Sequence, residues 1–179
     1  MWLFDRSDYY QQVEILRRCT AEALKDSEFI WEREFVWNEG LEFALTQSFK
    51  SLEGITAIAY RLNCPEPEIM RKIRDLGLYE RFSEFKPLPG DIRAAHIAQM
   101  RSETTHLEGA AVSWSEEQRN ALFWLFCAGE DITEIALVLN CPETVIMQHI
   151  LEHDLYHALS EFSLFEYCSE WNRATFKKV

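Results

Sequence analysis

Glycine and proline are scarce in this 179-residue chain, at 6 and 5, and no stretch is dominated by Ser, Gly or Pro. That excludes a linker-rich or low-complexity protein. Cations are outnumbered, 18 Lys and Arg against 30 Asp and Glu, for a formal charge of −12. A protein that coats nucleic acid non-specifically is excluded, because such binding depends on Lys and Arg placed against phosphates; a local basic surface is still allowed. No apolar run approaches the roughly 18 residues needed to span a bilayer, and Met1-Trp2-Leu3-Phe4 is followed at once by Asp5, Arg6 and Asp8. The cysteines, Cys19, Cys64, Cys127, Cys141 and Cys168, contain no CxxC pair and are odd in number. Neither a zinc knuckle nor a closed disulfide framework is expected. The expectation is a soluble, cytoplasmic protein with reduced thiols, no cofactor and no membrane partner.

What the chain does have is apolar material, 47% of its residues including 12 Phe, 6 Trp and 6 Tyr, enough for a core of ordinary size. It is arranged twice. Residues 37–85 align onto 114–162 without a gap, at an offset of 77 and with 23 identities in 49 positions; chance gives roughly three. The shared residues include Trp37/Trp114, Leu45/Leu122, Phe49/Phe126, Ile55/Ile132, Ile58/Ile135, Ala59/Ala136, Ile69/Ile146, Ile73/Ile150 and Leu78/Leu155. Leu62-Asn63-Cys64-Pro65-Glu66 recurs as Leu139-Asn140-Cys141-Pro142-Glu143. Duplication has kept a core and a turn.

Within each copy the apolar residues fall at helical spacing. In the second, Leu122, Leu125 and Phe126 mark one helix, Ile132, Ile135, Ala136 and Leu139 another, and Ile146, Met147 and Ile150 a third. Asp131 and Glu134 have the spacing of a capping box for the second helix. Asn140 suits a left-handed stop, Pro142 the first position of the third helix, and Glu143 its positive end. Asn63, Pro65 and Glu66 repeat these signals in the first copy.

The pattern Ile-Ala-x-x-Leu-Asn-Cys-Pro-Glu-x-x-Ile-Met-x-x-Ile resembles the helix-turn-helix of the homeodomain-like superfamily, which includes Myb-type and bacterial regulatory domains. Ala59 and Ala136 stand where that motif needs a small residue at a close helix crossing, and Trp114-Ser115-Glu116-Glu117-Gln118 resembles the opening of a Myb-like unit. The resemblance covers two units of 49 residues. It departs from the family in having Asn for the usual turn glycine and one aligned Trp per copy. It implies an all-α fold with a helical extension at 1–36, a first helix-turn-helix unit at 37–85, a linker with a connecting helix at 86–113, an acidic second unit at 114–162 and a tail at 163–179. Residues 7–25 and 91–102 are the helical parts of the extension and linker; Lys86-Pro87-Leu88-Pro89-Gly90 ends the first unit.

The third helix of such a unit enters the major groove. In the first copy it carries Arg71, Lys72 and Arg74, with Arg61 on the preceding helix; the second copy has Gln148, His149, Leu151 and Val138 instead. Lys and Arg against Asp and Glu count 6 to 8 over residues 37–85 and 1 to 9 over 114–162. The expectation is a DNA-binding regulator that contacts duplex through Arg71, Lys72 and Arg74, with Arg61 on the backbone, and acts as a homodimer to double a single weak contact. The alternative is an acidic protein-interaction module or inhibitor, of phage or mobile-element type, that offers a DNA-like surface through its second unit. An ordinary solvated face accounts equally well for the cations.

Other constellations carry less. His149, His153 and His157 recur every four residues along one presumed helix, a spacing that can ligate a metal but more often forms a solvated stripe. Cys64 and Cys141 fill matching turn positions, as packing residues do. Trp37 and Trp114 belong to the shared apolar pattern and read as core anchors, while one of the unmatched Trp31, Phe35 and Trp124 is expected in an interface. No phosphate loop, nucleophile elbow or catalytic carboxylate pair is present, so an enzyme is not expected.

Overall fold

The computed structural model describes residues 6–25, 35–82, 91–107 and 113–161. Among them are nine α-helices and no strand: α1 Arg6–Lys25, α2 Glu39–Lys50, α3 Ile55–Leu62, α4 Glu66–Asp75, α5 Ile92–Leu107, α6 Glu116–Cys127, α7 Ile132–Leu139, α8 Glu143–Glu152 and α9 Leu155–Glu161. The bounds of α6, α7 and α8 lie 77 residues beyond those of α2, α3 and α4 at both ends. The motif Lys86–Gly90, residues 26–34 of the extension and the tail from 163 lie outside the described residues.

Local chemistry accounts for the punctuation. Asn38 and Ser115, at matching positions, accept from the Leu41 and Gln118 backbone N–H groups at 3.0 and 3.2 Å; Gln118 Oε1 accepts in return from the Ser115 N–H, completing a capping box that the sequence reading missed. Asn63 (φ 48°) and Asn140 (φ 51°) end α3 and α7 in the left-handed region. Two expectations need correction. Pro65 and Pro142 are the N-caps of α4 and α8, one residue before the first helical position. Asp131 and Glu134 form no capping box: the Asp131 carboxylate accepts from the Thr133 N–H at 2.8 Å, while Glu134 pairs with Arg93 of α5.

The core is continuous across both halves. Leu45, Phe49, Ile55, Ile58, Ala59, Ile69 and Ile73 of the first and Leu122, Phe126, Ile132, Ile135, Ala136, Ile146 and Ile150 of the second are almost wholly enclosed. Where the halves meet, α3 packs on α7 and α4 on α8. Helix α1 lies mainly along α9 and touches α3; α5 packs on α7 and α8.

Helices α1 and α5 are themselves counterparts. At an offset of 84, the buried residues Val13, Arg17 and Thr20 match Ile97, Arg101 and Thr104, spaced to share one helical face. The Thr20 and Thr104 hydroxyls each donate to the carbonyl four residues back, at 2.8 and 2.9 Å. The duplicated pattern therefore starts a helix earlier than residues 37 and 114.

Candidate functional site

Two fully buried arginines hold the halves together. Arg17 donates through Nε and Nη2 to the Glu66 carboxylate at 3.2 and 3.0 Å, through Nη1 to the Phe126 carbonyl at 2.6 Å, and through Nη2 to the Glu130 carbonyl at 2.7 Å. Arg101 repeats each bond with the halves exchanged: Glu143 at 3.1 and 2.9 Å, the Phe49 carbonyl at 2.9 Å and the Glu53 carbonyl at 2.8 Å. The guanidinium carbons sit 4.0 Å over the Phe126 and Phe49 rings. A cation at the end of α6 or α2 complements the negative end of the helix, adding to the Gly129 and Leu52 N–H groups that already reach the Phe126 and Phe49 carbonyls at 3.1 and 3.2 Å. The fork of an arginine suits a carboxylate as well.

The remaining lone pairs of each carboxylate are occupied. Glu66 accepts from the Thr56 hydroxyl at 2.6 Å and the Tyr156 hydroxyl at 2.7 Å; Glu143 accepts from Thr133 at 2.6 Å and Tyr79 at 2.8 Å. Each tyrosine crosses into the other half. Burial, then the facing carboxylate, raise both phenols well above their ordinary value. Burial alone would lower the Arg17 pKa, but Glu66, joined by Tyr156 and Asp131, raises it overall and holds the guanidinium charged. With every ligand internal and satisfied, the clusters join the two halves.

The sequence marks Glu66 and Glu143 only as helix-end charges, and it singles out none of the arginines, threonines or tyrosines of the clusters. Their trace was there: Thr56/Thr133, Glu66/Glu143 and Tyr79/Tyr156 are polar identities in an otherwise apolar repeat. Arg17 and Arg101 fell outside it because their offset is 84.

The four predicted DNA-contacting cations do not share one face. Arg61 pairs with Glu53 at 2.8 Å, and Arg71 pairs with Glu68 of its own helix. Lys72 turns toward α2, with its ammonium 2.5 Å from Glu42 and 5.5 Å from the Trp37 ring centre. Arg71 and Arg74 are exposed on the wall of a groove between α4 and α8 that encloses about 370 Å³. Its sides are built from matching positions: Met70 faces Met147, while Arg71 and Arg74 stand where α8 has Gln148 and Leu151. Leu151 is 44% exposed, and Glu152 closes the α8 side.

The histidine stripe also needs correction. Helix α8 stops at Glu152, Asp154 takes φ 51°, and His157 lies on α9, so His149, His153 and His157 do not follow one helix. His149 packs on Trp114 with ring centres 4.1 Å apart, and burial lowers its pKa against the opposing pull of Glu152. Among the described residues no group of three or more His, Cys, Asp or Glu is placed to hold a metal ion. Cys64 and Cys141 are buried at the turns; burial pushes the Cys64 thiol up to about 12. Trp114 is buried and Trp37 half-buried, Trp124 is exposed, and Trp31 lies outside the described residues.

No family model, curated protein or solved structure matches the chain. No described helix is long and apolar enough to cross a membrane.

Proposed function

We propose that residues 37–85 and 114–162 are helix-turn-helix units of the homeodomain-like kind, and that the chain is a non-enzymatic protein-interaction module that docks a partner protein on the α4–α8 face. The observation that carries this is the charge of that face. Glu68, Arg71, Arg74 and Asp75 on α4 cancel, Lys72 is drawn away to Glu42, and α8 adds Glu152 with Gln148 and exposed Leu151. A surface without net positive charge gains nothing from counterion release on DNA. Leu151, exposed between the polar Gln148 and Glu152, offers an apolar contact to a protein partner. The two third helices also touch, whereas paired recognition helices on DNA lie about 34 Å apart. Free thiols at Cys19, Cys64, Cys127 and Cys141 fit a reducing cytoplasm.

One observation favours the second reading, a DNA-binding regulator: Arg71 and Arg74 are exposed on one wall of the groove. A photo-crosslinking residue at position 151 in the native host, run beside titration of labelled duplex DNA at low salt, separates the two. Protein adducts that vanish in the Gln148→Glu variant, whose side chain is exposed on the same groove, with no duplex binding, are expected. Salt-sensitive duplex binding abolished by Arg71→Glu with Arg74→Glu, and no protein adduct, would establish the DNA reading instead.

A further inference from the structure

The N-termini of α3 and α7 meet head to head, and each helix is capped by the other half. The Ile55 N–H donates to the Thr133 hydroxyl and the Ile132 N–H to the Thr56 hydroxyl, both at 3.0 Å. Such exchange of roles is the signature of an isologous interface, here within one chain. Residues that meet their own counterparts lie on its local two-fold axis. Gly54 and Asp131 are such a pair, at matching positions 77 residues apart and in contact.

They are also where the halves differ. A Cβ at Gly54 would lie 2.3 Å from Asp131 Oδ2 and 2.5 Å from Cγ and Oδ1. The carboxylate is pinned, because it accepts from the Thr133 N–H of its own helix at 2.8 Å and from the Ala57 N–H of α3 at 3.0 Å. The Gly54 backbone, at φ −69° and ψ 151°, suits any residue. Glycine is needed there for space and not for conformation. One carboxylate thus serves the positive ends of two helices. A second would collide with it, and its removal would leave donors of both helices without an acceptor.

We infer that the two halves are keyed as unlike partners: the axis accommodates one carboxylate and one position without a side chain, so the face around Gly54 fits only a half that carries Asp131, and pairing of like halves is excluded. The key is positional, and the acid can stand on either side.

Thermal unfolding of the full-length chain tests this through a double-mutant cycle. Gly54→Asp is expected to lower Tm by on the order of 10 °C or to prevent folding, and Asp131→Gly to lower it by several degrees. The combined variant, which moves the carboxylate across the axis, is expected to regain most of the loss. A double variant no more stable than the worse single one would overturn the inference. Should Gly54→Asp fail to fold, Gly54→Ala supplies the cycle: its penalty is expected with Asp131 and should nearly vanish beside Asp131→Gly. An equal penalty in both backgrounds would overturn the inference as well.

Discussion

Arg17 and Arg101, 84 residues apart in sequence, make the same bonds with the halves exchanged, each joining a carboxylate of one half to two carbonyls of the other. The flanking helices are therefore structural members of the duplication: each delivers the cation that closes the junction. A buried ion pair contributes little over an apolar replacement of equal shape, but losing one partner strands the other charge.

Replacement of either arginine by methionine is accordingly expected to cost about 3–5 kcal/mol, by stranding Glu66 or Glu143 between its threonine and tyrosine and taking the guanidinium donor from the Glu130 or Glu53 carbonyl. Arg17→Met with Glu66→Gln should recover part of that loss, since the stranded charge is gone. Urea unfolding of the two single variants and the double measures both effects. A loss below about 1 kcal/mol in either single variant would show that its cluster does not hold the halves together.

Three left-handed backbone positions recur at the 77-residue offset, Leu52/Gly129, Asn63/Asn140 and Gly77/Asp154, and glycine fills one member of two pairs. Asp154, exposed at φ 51°, stands where Gly77 has φ 59°. Asp154→Gly should stabilise the protein by about 0.5–1 kcal/mol, and Gly77→Asp should destabilise it by at least as much, the more so because a Cβ at Gly77 would come 3.3 Å from Glu80 Oε2. Unfolding midpoints that move in the same direction for both variants would contradict this account.

His149 supplies a pH dependence of definite sign. Burial against Trp114 lowers its pKa below the usual 6.5, so the folded state prefers the neutral imidazole. The stability contributed is present above pH 6.5 and is lost as pH falls through the lower folded value. Relative to His149→Phe, which cannot protonate, the wild-type chain should lose stability as pH drops below 6.5. Parallel denaturation series for the two proteins provide the check, and a gap that stays constant with pH would exclude the effect.

Parts of the candidate site were legible at the level of residue type. The divergent positions Arg71/Gln148 and Arg74/Leu151 do line one groove, because residues three apart on a helix share a face. Lys72 was not separable from them in the sequence, since only the position of α2 shows that Glu42 and Trp37 claim it. The clusters around Arg17 and Arg101 stayed hidden for a related reason: their members are spread over four stretches of chain each, and a lone arginine in an amphipathic helix gives no sign of a partner 49 or 42 residues away.

By itself the sequence determined what depends on neighbours along the chain: helical spacing of the apolar residues, the asparagine stops, and a duplicated core whose outward faces had diverged. Tertiary structure decided what depends on long-range approach. It broke the histidine stripe at Asp154, turned Glu66 and Glu143 from helix-end charges into buried ligands, and set Gly54 against Asp131. Periodicity encodes which side of a helix is buried, but the partner met there follows from how two like halves close on each other, with one side chain at their axis.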